Sequence, residues 1–280
     1  MRRILSHPAP ENVPFSVDSQ SINKVVGQFA IGLPVVLPLV VWLNGGRQMP
    51  SISHYYYTPV GGDILVGMLS IIGVILIMFY RYKGFQAEVA DKVRDGDREA
   101  NSANNLRNAL LAKLAGLAAL GVAFIPTEGW VPIDAEGTLP GFLPDRFVGL
   151  AHSLSAGVMF CILGYFSAFV FTRVQSKTST VDCRLDSALT ARKIRRNRWY
   201  RGLGMVIFGA VFVLLAKSVA VWLDPKGGSG WLGIWNGARV TFWVETAALL
   251  AFGLSWMIKG RRFSWLNDDP HRCKGARQGV

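Results

Sequence analysis

Three ionisable side chains stand where the surrounding sequence is too apolar to hold them without a reason: His152, Lys217 and Glu245. Each lies inside a stretch of about 20 apolar residues, the length that crosses ~30 Å of hydrocarbon at 1.5 Å per residue. Counted from the ends of those stretches, all three fall roughly 6–11 Å inside the same boundary. An isolated charge there costs at least about 2.5 kcal/mol on insertion scales, so these groups must face the protein interior or a wet cavity. Lys217 and Glu245, on consecutive stretches, are the natural ion pair. In an enzyme His152 would act as base or ligand and Glu245 as acid or base, since burial raises a carboxyl towards neutrality. The plainer reading is interhelical hydrogen bonding, and both readings stay open.

The loop after the first apolar stretch adds chemistry at the same end. It reads Met49-Pro50-Ser51-Ile52-Ser53-His54-Tyr55-Tyr56-Tyr57-Thr58-Pro59, followed by Asp63. Its tyrosines and histidine offer stacking faces and hydroxyls at a membrane interface, which suits a lipid headgroup, a sugar or another amphiphile. His54, Tyr55, Tyr56, Asp63 and Lys217 are therefore the candidate ligand-binding residues, with interfacial packing as the alternative for the loop. A second loop brings Thr127, Glu128, Trp130, Asp134 and Asp145. Ser155 follows His152 by three residues on nearly the same helix face, without the nucleophile-elbow context of a hydrolase. A zinc site would draw on His54 and His152 with Asp63, Glu128 or Glu245. That inventory suffices, but the H-E-x-x-H spacing that would make it specific is absent, so metal and cofactor stay unassigned. Phosphate-loop, dinucleotide and C-x-x-C motifs are also missing.

The elements that must position these residues follow from hydropathy. Of 280 residues 51% are hydrophobic and 17% charged, with a mean hydropathy of +0.30. A soluble domain is about a quarter charged, so a soluble enzyme, a disordered chain and a disulfide-stapled secreted domain are excluded. The apolar blocks predict six spans at 25–43, 62–80, 107–126, 147–171, 200–223 and 238–258. The fold class is an all-α polytopic six-helix bundle, with a polar tail at 1–24 and a basic tail at 259–280. Pro34 and Pro38 punctuate the first span and predict a kink.

The net charge of +12 sits in loops rather than on an aromatic-interleaved basic fold, so membrane lipids rather than nucleic acid are the expected partners. Lys and Arg gather between spans two and three, between spans four and five, and in the tail. By the positive-inside rule both termini are cytoplasmic, in a cell membrane that is expected to be a bacterial inner membrane. Cys183 and Cys273 then fall on the reducing side, and no structural disulfide is expected.

Pro50-Ser51-Ile52-Ser53, Phe124-Ile125-Pro126-Thr127, His152 with Ala156, and Glu245 together make the chain resemble a known six-span superfamily. It includes bacterial membrane proteins of unknown function, the damage-regulated autophagy modulators and the eukaryotic membrane proteins of GPI-anchor lipid remodelling. The resemblance covers about 25–258 and implies a compact six-helix bundle that handles lipids from the outer side. A more distant similarity to seven-span ceramidase-like hydrolases stops short of their paired histidines and seventh span. The expected function is binding of a lipid or amphiphile in an outer-leaflet polar cavity. The alternatives are an intramembrane lipid hydrolase or transferase, possibly metal-dependent, and a proton-coupled transporter.

Overall fold

The computed structural model describes residues 18–79, 95–127, 145–174, 176–183, 187–224 and 230–273, with the backbone alone at 95–104, 145–146 and 177. Glu128, Trp130 and Asp134 lie outside the described residues, as does the side chain of Asp145.

The described chain forms seven α-helices: α1 (Ser19–Leu43), α2 (Pro59–Met78), α3 (Asp95–Phe124), α4 (Asp145–Tyr165), α5 (Ala191–Leu223), the short α6 (Trp231–Gly237) and α7 (Val240–Lys259). Six of them, all but α6, are long and apolar enough to cross a membrane. No strand occurs among the described residues. The protein is thus an all-α multi-pass membrane bundle. Its helix starts are set by caps as well as by hydropathy. Asp18 accepts from the Ser21 N–H at 3.3 Å to open α1, and Thr190 accepts from the Lys193 N–H at 3.1 Å to open α5. Pro59 takes the first position of α2, where a missing N–H costs nothing. Helices α1, α3 and α5 begin 6 to 12 residues earlier than the spans at 25, 107 and 200. Hydropathy reports the hydrocarbon, whereas a capped helix runs on through the headgroup layer. Helix α1 is continuous through Pro34 and Pro38.

Each long helix packs on its chain neighbour, and α1 closes the ring against α7. Two crossings are made by paired glycines. A Cβ at Gly253 would lie 2.7 Å from the Gly27 carbonyl, and one at Gly73 would lie 2.9 Å from the Gly116 carbonyl. Such small-residue contacts let helix backbones approach where lipid supplies no hydrophobic drive. Gly260, just past α7, abuts Gln20 and Lys24 of α1, so both ends of the helical region share one end of the bundle.

That end is basic and tightly tied. Arg196 pairs with Asp268 at 2.7 Å, and Thr190 and Ser179 donate to the same carboxylate at 2.7 and 3.1 Å. Lys193 donates to the carbonyls of Phe171 and Arg173, just beyond the π-helical turn Phe166–Val170 that ends α4. One expectation is corrected here. Cys183 and Cys273 form a disulfide, with Cα atoms 5.7 Å apart across 90 positions of sequence. The anchoring of Asp268 folds the tail back onto the segment before α5 and so brings the two thiols together, a contact that hydropathy and charge bias cannot foresee.

Helix α5 departs from the pattern of the others. Only 6% of its apolar window is buried, against 39% to 56% for the other five spans. Its buried residues stop at Ala210. The half that follows exposes Phe212, Leu215, Val219 and Trp222.

Candidate functional site

The residues of the Pro50–Thr58 loop do not stay above the bundle; they descend into it. The Phe242 N–H donates to the Pro50 carbonyl at 3.2 Å. One turn further along α7, the Glu245 carboxylate accepts from the Ile52 N–H at 2.5 Å. It also meets the N–H and the hydroxyl of Ser53. Glu245 lies five residues past the start of α7, so the loop reaches about 7 Å below that helix end. Irregular backbone at such depth needs protein partners for its N–H groups, and Glu245 supplies them. The 3-10 turn Ser53–Tyr57 then carries the chain to α2. Gly62 makes the return possible, because a Cβ there would lie 2.5 Å from the Tyr56 carbonyl.

The pairing of Lys217 with Glu245 is corrected by this arrangement. No ion pair joins them; Lys217, half-buried in the unpacked half of α5, acts through space on both Glu245 and His54. The loop backbone takes the carboxylate because Ile52 and Ser53 would otherwise bury unsatisfied donors.

His152 is buried at 4% exposure and fixed on both nitrogens. Its Nδ1 lies 2.7 Å from the Ile125 carbonyl and its Nε2 lies 2.9 Å from the Ser53 hydroxyl. A carbonyl only accepts, so Nδ1 carries the proton. In the neutral ring Nε2 is then the acceptor, and Ser53 donates to it. Ser155 is not the partner of His152: its hydroxyl packs within 2.5 Å of the Cβ position of Gly121 on α3. Phe124-Ile125-Pro126-Thr127 contributes through backbone, Ile125 to His152 and Thr127 as acceptor from the Tyr57 hydroxyl at 2.5 Å.

The remaining candidates divide. His54 shares a hydrogen bond of 2.6 Å with Ser51. Burial, reinforced by the charges of Lys217 and His152, pushes its pKa down to about 4, so it is neutral at pH 7. Tyr55 is wholly buried, with its hydroxyl 3.4 Å from the Met49 N–H; it is a core side chain with no face left for a ligand. Tyr56 is half-buried and meets Tyr57 edge-on at 5.5 Å; burial pushes both phenols up. Asp63 is exposed on α2, outside the cluster, and has no hydrogen bond or ion pair among the described residues. The described residues also hold no group of three or more His, Cys, Asp or Glu side chains positioned to share a metal ion.

The site thus brings together His54, His152, Glu245 and, at longer range, Lys217. Ser51 and Ser53 are the members that titratable-residue counting passes over, although both stand in the Pro50-Ser51-Ile52-Ser53 signature. Fold and site define a six-span helical membrane protein with a loop re-entering one end. Comparison with family models, curated proteins and solved structures finds no match in any of the three.

Proposed function

We propose that the protein binds an anionic lipid or similar amphiphile from the outer leaflet, with the headgroup at Lys217 and the acyl chains along the unpacked half of α5, and that it belongs with the lipid-handling six-span superfamily it resembles. The observation that carries this reading is Lys217 itself. Among the described residues it is a half-buried cation without an ion-pair partner, on the one span whose flank is almost bare of protein. A lysine at that depth is costly unless an anion meets it or its stem reaches water. The groups on which Lys217 acts fit a ligand headgroup: neutral His54 and the Glu245 carboxyl that holds the re-entrant loop. The Lys and Arg bias of the opposite end supports the outward placing of this one.

The test is native mass spectrometry of protein purified in mild detergent. Wild type is expected to retain anionic lipid, and Lys217→Ala to lose at least tenfold in occupancy at unchanged melting temperature. Equal occupancy in the two proteins would overturn the proposal.

A further inference from the structure

The pairing of Ser53 with His152 has the parts of a nucleophile and its base, and none of the binding argument uses it. From this geometry we propose that Ser53 is a nucleophile towards a carboxylic ester, with His152 as its general base, acting on the acyl ester of the bound amphiphile. The substrate class rests on the lipid-binding reading above; the reactivity of Ser53 does not.

Three features carry the proposal. The Ser53 hydroxyl lies 2.9 Å from His152 Nε2, within the reach that proton transfer needs. The Ile125 carbonyl at 2.7 Å fixes the protonated nitrogen on the far side of the ring, the orienting role a carboxylate plays in serine hydrolase triads. Ser53 is half-buried, whereas Ser51, also paired with a histidine, is 2% exposed. Proton counting adds a fourth feature. The contacts Glu245–Ser53 and Ser53–His152 each need one proton. Ser53 supplies one to the neutral His152 ring, so the other resides on Glu245. The Ser53 proton is then already directed at Nε2, the nitrogen that has to take it. Depth agrees as well, because the ester carbonyls of a glycerolipid lie just beneath its headgroup, the level to which the loop descends.

In the step, the Ser53 oxygen attacks the ester carbonyl carbon and its proton passes to Nε2. The carbonyl π electrons move to oxygen. They return as the C–O bond to the alcohol breaks, and the departing alkoxide takes the proton from Nε2. Water then attacks the acyl-Ser53 ester by the same route. The sum is ester plus water to carboxylic acid plus alcohol, with no other reactant.

A fluorophosphonate probe tests this on the full-length protein in detergent at pH 8, with the adduct mapped by peptide mass spectrometry. The adduct is expected on Ser53, absent in Ser53→Ala, reduced at least tenfold in His152→Gln and unchanged in Ser155→Ala. No adduct on Ser53, while a control serine hydrolase labels fully, would overturn the proposal, as would modification of another serine alone. Where Ser53→Ala fails to fold, the mapped position in the wild type decides. Native mass spectrometry on the same preparation separates the two readings. Lipid without an adduct removes the nucleophile and keeps the binding site, and an adduct without lipid does the reverse.

Discussion

Glu245 is tolerated inside a span because it satisfies two backbone donors that have no other partner among the described residues, and the loop is tolerated at depth because Glu245 is there. His54 shows the opposite accommodation, since it is kept neutral. Its ordinary value is 6.5 and burial, with Lys217 and His152 nearby, lowers it to about 4. Between those two values the unfolded chain binds a proton that the folded protein refuses. Stability therefore rises with pH through that window and is lost as pH falls from about 6.5 towards 4. The slope reaches about 1.4 kcal/mol per pH unit for one proton. Thermal melts across this window are expected to show the slope in the wild type and a shallower one in His54→Gln; identical slopes would contradict the assignment. At this scale the sequence singled out His152, Lys217 and Glu245 from their misfit with apolar surroundings, and His54 from the tyrosine-rich loop that holds it. It could not pair them. The partners of His152 and Glu245 are backbone groups and a loop serine, whose types carry no signal of position.

Between helices, glycine sets how closely the ring closes. A side chain at Gly253 would strike the Gly27 carbonyl at 2.7 Å and Ile31 at 2.5 Å, while nothing lies within 4 Å of a Cβ at Gly209. Gly253→Leu is expected to destabilise by about 3 kcal/mol, because the obstacle is backbone and cannot turn aside. Gly209→Leu, on exposed α5, should melt as the wild type does. Similar melting of both variants would contradict the α1–α7 crossing. The spans themselves were legible, since six apolar blocks with basic loops allow little else. Their basic-end boundaries were not, because Asp18 and Thr190 extend α1 and α5 by capping. The bare flank of α5 was equally hidden, as an apolar helix reads the same against lipid as against protein.

For the whole molecule, the two ends are built differently. The basic end is locked by Arg196, Asp268 and the Cys183–Cys273 bond. The opposite end combines a re-entrant loop with a helix that stands free. Alkylation of denatured protein should modify Cys161 alone before reduction and all three cysteines after it; three reactive thiols before reduction would contradict the tie between loop and tail. Alkylation at the moment of lysis is the informative form of the count, because it traps the thiols before air can oxidise them.

In the proposed function lipid enters along the free half of α5, and photocrosslinking addresses this directly. The protein is reconstituted with an anionic phospholipid carrying a photoactivatable acyl chain, irradiated, and mapped by peptide mass spectrometry. Adducts are expected to concentrate on 211–223 and on the 50–58 loop, and to fall at least severalfold there in Lys217→Ala. Adducts spread evenly over the exposed faces of all six spans, indifferent to Lys217, would contradict it.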